Sequence, residues 1–182
     1  MTDRATPENA APAASLTGHL ASGWAMLGFF ALLGYAIIRL AEMTTEAWAL
    51  PWTTGQWLIF LINLGFMAYS EGYKGFQCSY SPRFAARANY LIARGSSTQR
   101  LLAPLFCMGF FAAPRRRIIA ACLLFLMIVV LVCIFRLLPQ PWRGILDAGV
   151  VVGLSWGLIA TANCYWTALM QPEKAVDAEV VS

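Results

Sequence analysis

Four long stretches of apolar residues divide the chain, and each is close to the length that an α-helix needs to cross a bilayer. They run over residues 22–43, 53–73, 118–138 and 145–170. A spanning helix needs about 20 predominantly apolar residues. Four such runs in so short a chain leave no amphipathic helices to cover them in a soluble domain. The pattern predicts an all-α integral membrane protein, arranged as a four-helix bundle.

The composition agrees with this fold class. Hydrophobic residues make up 59% of the 182 residues and charged residues only 12%, whereas a typical soluble domain has about 25% charged residues. A soluble fold of this composition would lack the polar surface to cover itself. We therefore expect one four-span membrane domain over residues 19–170, with disordered cytoplasmic tails at 1–18 and 171–182.

Basic residues are concentrated between the second and third stretches, in the basic loop of residues 74–117. They are Lys74, Arg83, Arg87, Arg94, Arg100, Arg115, Arg116 and Arg117. No acidic residue occurs from 72 through 117. Because short loops rich in Lys and Arg stay on the cytoplasmic side, the basic loop and both termini are predicted to be cytoplasmic. The small size and the loop pattern suit a bacterial inner membrane.

The basic loop carries its own structural signals. Ser81-Pro82 is typical of a helix start, with serine as the cap and proline in the first turn. Basic and apolar residues then fall on different faces, which indicates a short amphipathic helix in the membrane surface. Residues 101–113 are apolar but too few to cross, and Pro104 and Gly109 interrupt them. They are predicted to be interfacial or re-entrant, so that the loop forms a hairpin between spans two and three.

The arginines of this loop form the first candidate functional surface, for anionic lipid or a cytoplasmic partner. Its members are Arg83, Arg87, Arg94, Arg115, Arg116 and Arg117. Each positive charge near the inner surface contributes about 1 kcal/mol of attraction to anionic head groups. A purely topological role, in which the arginines only hold the loop inside, also explains the pattern. Nucleic acid is not expected as a partner, because no recognition fold is readable.

A second candidate is a polar site of Glu71, Tyr73 and Lys74 at the inner end of the second stretch. Carboxylates are costly in hydrocarbon and often mark function there. The glycines at 72 and 75 indicate irregular backbone, which can line a site at membrane depth. In the structural interpretation, Glu71 pairs with Lys74 or with arginines 115–117. In the functional one, it binds a proton or a substrate.

The fourth stretch carries a packing motif. Gly149, Gly153 and Gly157 recur every four residues and are followed by Thr161. Small residues at this spacing form a groove that lets a second helix approach closely. The motif predicts close packing either within the bundle or at the interface of a homo-oligomer or a partner membrane subunit.

Polar residues at the outer side and inside the spans are predicted to connect helices. An ion pair of Asp147 with Arg136 or Arg39 is expected to hold the outer ends of the spans together. Asn63 and Asn163 are expected to form hydrogen bonds between helices.

Motifs for catalysis, metal binding or cofactor binding are missing from the sequence. The five cysteines form no CxxC pair and His19 is the only histidine, so neither a zinc site nor bis-histidine haem ligation is expected. The leading interpretation is a non-enzymatic membrane protein that engages anionic lipid or a partner through its basic loop. One alternative is a small oligomeric transporter or channel using Glu71. Another is a lipid-modifying enzyme at the inner leaflet, which requires Glu71, Tyr73 and Lys74 to converge on one point.

Overall fold

The computed structural model describes residues 15–171 and 178–180, and the regular elements within them are all helical, as predicted. They are α1 (Leu16–Trp48), α2 (Thr54–Met67), a π-helix (Ala68–Tyr80), α3 (Ser81–Arg94), α4 (Ser97–Leu101), α5 (Ala103–Cys107), α6 (Arg115–Phe135) and α7 (Trp142–Met170). The tails predicted at 1–18 and 171–182 lie mostly outside the described residues.

Three of the described helices, α1, α6 and α7, are long and apolar enough to cross a membrane. The first begins at Leu16, because the Ser15 hydroxyl accepts a hydrogen bond from the Gly18 N–H and caps the helix. It continues to Trp48, so α1 extends beyond both ends of the predicted stretch at 22–43. The three helices support a membrane protein.

The second predicted span does not end at residue 73. It begins at a capping box formed by Thr53 and Gln56, and its backbone stays helical through α2, the 13-residue π-helix and α3. Ser81 is therefore not the helix cap that the sequence predicted. Its N–H bonds to the Phe76 carbonyl, so the helix continues past it, while its hydroxyl lies 2.9 Å from the Thr161 hydroxyl of α7.

This continuous helix packs against the glycine line of α7, formed by Gly149, Gly153 and Gly157. Asn63 of α2 lies against Gly149, Glu71 of the π-helix against Gly153, and Phe76 against Gly157. A methyl group added at Gly153 would lie 2.7 Å from the Glu71 carboxylate, and one at Gly157 would lie 2.6 Å from the Phe76 ring. The groove predicted from the glycine spacing is therefore filled by side chains of the same chain.

The main apolar core lies at the end of the bundle where most arginines are found, here called the basic end. It joins α1, α3 and α5 through buried residues that include Phe29, Phe84, Leu91 and Phe106. A smaller core around Phe60 and Ile145 joins α2 to α7 at the opposite end. The bundle core is thus formed by α1, α7 and the continuous helix from α2 to α3.

Helix α6 stands apart from this bundle. It has no buried residue, and it makes no extended contact with another helix of the described part. It contains no glycine and is dominated by large side chains, so it presents no groove for close packing. The described residues therefore show three packed helical segments with α6 beside them, rather than a closed four-helix bundle.

The segment between α3 and α6 folds back onto the bundle at the basic end. Gly95 ends α3 in an extended conformation, and Ser96 with Gln99 caps the short α4. In α5, Ala103, Phe106 and Cys107 are buried, against α1 and α3. Residues 101–113 are thus partly buried in protein, packed through α5 against α1 and α3.

Candidate functional site

Arg87 is the centre of the basic end, and it is buried although the sequence placed it on an exposed basic face. Only 5% of its surface is accessible. Its guanidinium donates to the carbonyls of Phe106 at 2.7 Å, Phe111 at 2.8 Å and Ala112 at 3.2 Å, and more weakly to that of Ala178 at 3.4 Å. The guanidinium carbon also lies 4.0 Å from the centre of the Phe106 ring. These contacts connect α3 to the turn that follows α5, where the Phe106 carbonyl also accepts from the Gly109 N–H at 3.0 Å.

Two further arginines join Arg87 around one cleft between α3, the end of α5 and the first turns of α6. The cleft encloses about 150 Å³, room for several water molecules. Arg83 donates to the Ser79 hydroxyl at 3.0 Å. Arg117 donates to both carboxylate oxygens of Glu179, from Nε at 2.9 Å and Nη2 at 3.1 Å. Three arginines face one carboxylate among the described lining residues, so the cleft carries a net positive charge.

The rest of the cleft wall is apolar. Ala120, Ala121 and Leu124 of α6 line one side, and Met108 and Cys107 line the other. The α6 wall continues into the apolar surface of that helix, which has no buried residue and is mostly exposed. The cleft is therefore amphipathic, with cations at one end and a hydrocarbon surface leading away from them.

Tyr80 adds an unusual polar group to this lining. Its hydroxyl is buried and has no hydrogen-bond partner among the described residues. A buried hydroxyl without a partner costs free energy. The hydroxyl oxygen is closed to solvent, so the cleft as it stands does not expose it to a bound molecule.

Burial changes the titration of the groups that face the cleft. It lowers the pKa of Arg87 from its usual value, and it lowers the pKa of Arg83, to which the nearby charge of Arg117 also contributes. Arginine remains charged at neutral pH even so. Burial also raises the pKa of the Cys107 thiol to about 12, so that side chain is a neutral apolar filler at neutral pH.

The six arginines predicted as one surface thus divide into two groups. Arg83, Arg87 and Arg117 line the cleft, whereas Arg94, Arg115 and Arg116 are exposed outside it. Tyr80 and Glu179 were not predicted as lining residues. Glu179 lies 62 residues from its partner Arg117, and no local pattern connects the two.

The second candidate site does not assemble. The Glu71 carboxylate faces Gly153 of α7, and its Oε2 is buried without a hydrogen-bond partner in the described part of the chain. Lys74 instead lies over the Tyr69 ring, at 5.4 Å from its centre, and Tyr73 stacks on the same ring. Glu71, Tyr73 and Lys74 therefore do not converge on one point, and Glu71 does not line the cleft.

The ion pairs at the opposite end differ from the predicted ones. Asp147 is nearest to Arg143, one turn earlier in α7, at 3.6 Å. Arg39 pairs with Glu42 at 2.7 Å within α1, and Arg136 lies exposed at the end of α6, the helix that stands apart. Local partners on the same helix replace the pairing predicted between helices, because they need no approach of a second helix.

Of the two asparagines, only Asn63 forms the kind of contact that was predicted. Its side-chain N–H donates to the Ile145 carbonyl at 2.9 Å and so joins α2 to α7. Asn163 is exposed, on the outer face of α7.

No protein-family model, curated protein or solved structure matches this chain. The basic end holds a cleft with the guanidinium groups of Arg83 and Arg117 beside an open volume and an apolar wall on α6. Guanidinium forks match carboxylate and phosphate oxygens. The cleft has the chemistry of a site for an anionic amphiphile.

Proposed function

We propose that this chain is a non-enzymatic, multi-pass membrane protein whose basic end lies at the cytoplasmic surface and binds anionic lipid head groups. The observation that carries the proposal is the position of the arginines. They surround the N-terminus of α6, where an exposed apolar helix of membrane-spanning length begins. Cations at the end of a membrane-spanning helix lie at the level of the lipid head groups.

Four crossings are part of the proposal. The continuous helix through α2 and the π-helix runs beside the glycine line of α7, and we assign it as the second crossing. An even number of crossings puts both termini on the side of the basic loop, and its lysine and arginines favour the cytoplasmic side of a bacterial inner membrane.

The test removes the arginine run at the start of α6. In the variant with Arg115, Arg116 and Arg117 all changed to Gln, three head-group attractions of about 1 kcal/mol each are lost. We expect affinity for phosphatidylglycerol to fall at least tenfold, measured by native mass spectrometry of the full chain titrated in a neutral detergent. Phosphatidylcholine binding should not change.

A matched control removes the same charge from the opposite end, by changing Arg39, Arg136 and Arg143 to Gln. It should bind phosphatidylglycerol like the wild type. Reporter fusions at Gly95 and after Ser182 verify that both variants keep the same orientation. If the two triple variants bind phosphatidylglycerol equally well, the basic end is not a lipid-binding surface and the proposal is wrong.

A further inference from the structure

The cleft at the basic end combines three features that a general basic surface does not need. It encloses a volume, it places Arg83 and Arg117 around that volume, and it continues into the apolar surface of α6. Exposed arginines that only hold a loop inside or attract lipid diffusely require none of these. The arrangement points to one bound anion of defined position.

The Glu179 carboxylate shows where such an anion would sit. Both of its oxygens accept from the Arg117 guanidinium, the two-bond geometry that phosphate oxygens also adopt. The ion pair is partly exposed, with about two-fifths of each side chain accessible, and exposed ion pairs contribute little to stability. Glu179 also has a left-handed backbone, with φ at +47°, which is unfavourable for a non-glycine residue. Replacing the Glu179 carboxylate at Arg117 by another anion therefore costs little free energy.

The apolar wall distinguishes a lipid from a free phosphate. Ala120, Ala121 and Leu124 extend the cleft along α6, whose remaining surface is exposed and apolar. A soluble phosphate would leave this wall without a function. An acyl chain would cover it while the phosphate stays at the arginines.

We propose that the cleft binds the phosphate of one anionic lipid between Arg83 and Arg117, and that the C-terminal segment at residues 178–180 competes for the same position through Glu179. Arg87 acts as a positioning residue, because its N–H groups hold the carbonyls that shape the cleft. This inference rests on the proposed function and adds to it a defined site and an internal competitor.

The test uses the full chain in neutral detergent with three probes: dioctanoyl phosphatidic acid, dioctanoyl phosphatidylcholine and inorganic phosphate. Binding is measured by native mass spectrometry. We expect one tight site for phosphatidic acid, weaker binding of phosphatidylcholine and none of inorganic phosphate. R83Q should weaken phosphatidic acid binding roughly tenfold, since a charge-assisted hydrogen bond is lost, whereas Y80F removes a hydroxyl that the cleft does not expose and should leave binding unchanged. R94Q is the matched control, because it removes one arginine from the same helix outside the cleft.

The internal competitor is tested with E179Q. Neutralising it should strengthen phosphatidic acid binding about two- to fivefold, in proportion to the small contribution of an exposed ion pair. E42Q at the opposite end is the control and should have no effect. If inorganic phosphate binds as tightly as phosphatidic acid, the cleft is a phosphate site without a lipid component, and the lipid assignment is overturned. Weaker or unchanged binding by E179Q would refute competition by the C-terminal segment.

Failure of the site is distinguishable from failure of the proposed function. If R83Q, Y80F and R94Q bind phosphatidic acid equally well while the triple variant at residues 115–117 loses phosphatidylglycerol, the cleft is not a site but the basic end still binds lipid. If the triple variant also binds normally, both proposals fail.

Discussion

Replacing Arg87 with Met should destabilise the basic end strongly, although the change removes a buried charge. The guanidinium makes two short hydrogen bonds, to the carbonyls of Phe106 and Phe111 at 2.7 and 2.8 Å, and it lies on the Phe106 ring. Hydrogen bonds to charged groups contribute about 1.5–3 kcal/mol each, and the ring contact about 0.5–2 kcal/mol. The Met variant also avoids the free-energy cost of burying a charged guanidinium, which offsets part of this sum. We expect a net loss of about 2–4 kcal/mol, because the part-buried carbonyls of Phe111 and Ala112 lose the donor that Arg87 gives them.

The assay is thermal unfolding of the full chain in neutral detergent, with limited proteolysis of the 95–114 segment as a local readout. A loss of this size corresponds to a fall in the unfolding midpoint of roughly 5–15 °C for a chain of this length. Cleavage within the segment should also begin at lower temperature. Arg87→Lys should be intermediate, because an ammonium keeps the charge but cannot reach the separated carbonyls with a planar fork.

Arg94→Met is the matched control. Arg94 lies on the same helix but is exposed, and exposed substitutions usually change stability by less than about 0.5 kcal/mol. Equal midpoints and equal cleavage for the two methionine variants would show that the guanidinium of Arg87 does not hold the segment. The explanation given above for its burial would then be wrong.

Two further predictions concern packing and thiol reactivity. Gly153→Ala should destabilise the chain by about 1–3 kcal/mol in an unfolding titration, because its methyl group would lie 2.7 Å from the Glu71 carboxylate. Gly65→Ala, where nothing lies within 4 Å, should be neutral or slightly stabilising, and equal losses would contradict the packing. Cys107 should resist maleimide in the folded chain while the exposed Cys78 reacts. The raised pKa of Cys107 has no effect on stability below pH 9, but it lowers stability as the pH rises from 9 towards 12, because the unfolded thiol then loses its proton first. Labelling of Cys107 at the rate of Cys78 in the folded protein would refute its burial.

The features that sequence reasoning located well are those with a local physical cause. Long apolar runs predict helices because length and composition alone decide them, and the four-residue spacing of Gly149, Gly153 and Gly157 marks one face of a helix. Each of these follows from neighbouring residues.

The features that could not be predicted depend on distant partners. Nothing near Arg87 in the sequence shows that it donates to carbonyls at 106–112. Because Arg83 and Arg87 fall on the same predicted helix face, that face was interpreted as an exposed basic surface. The contact of Arg117 with Glu179 joins residues 62 positions apart. The helix start predicted at Ser81 was wrong for a similar reason. The cap signal is local, but the π-helix before it and Thr161 opposite it keep the helix continuous.

The unbroken helix from Thr54 to Arg94 has a mechanical consequence. Its backbone stays helical past Pro82, which has no N–H to donate, and it spans roughly 50–60 Å with Arg83 and Arg87 near one tip. Helix α6 is reached through a non-helical segment with left-handed residues at Gly109 and Ala112, and the Phe111 and Ala112 carbonyls of this segment accept hydrogen bonds from Arg87. The same guanidinium therefore connects the tip of the long helix to the start of α6, and the width of the cleft between them depends on those hydrogen bonds.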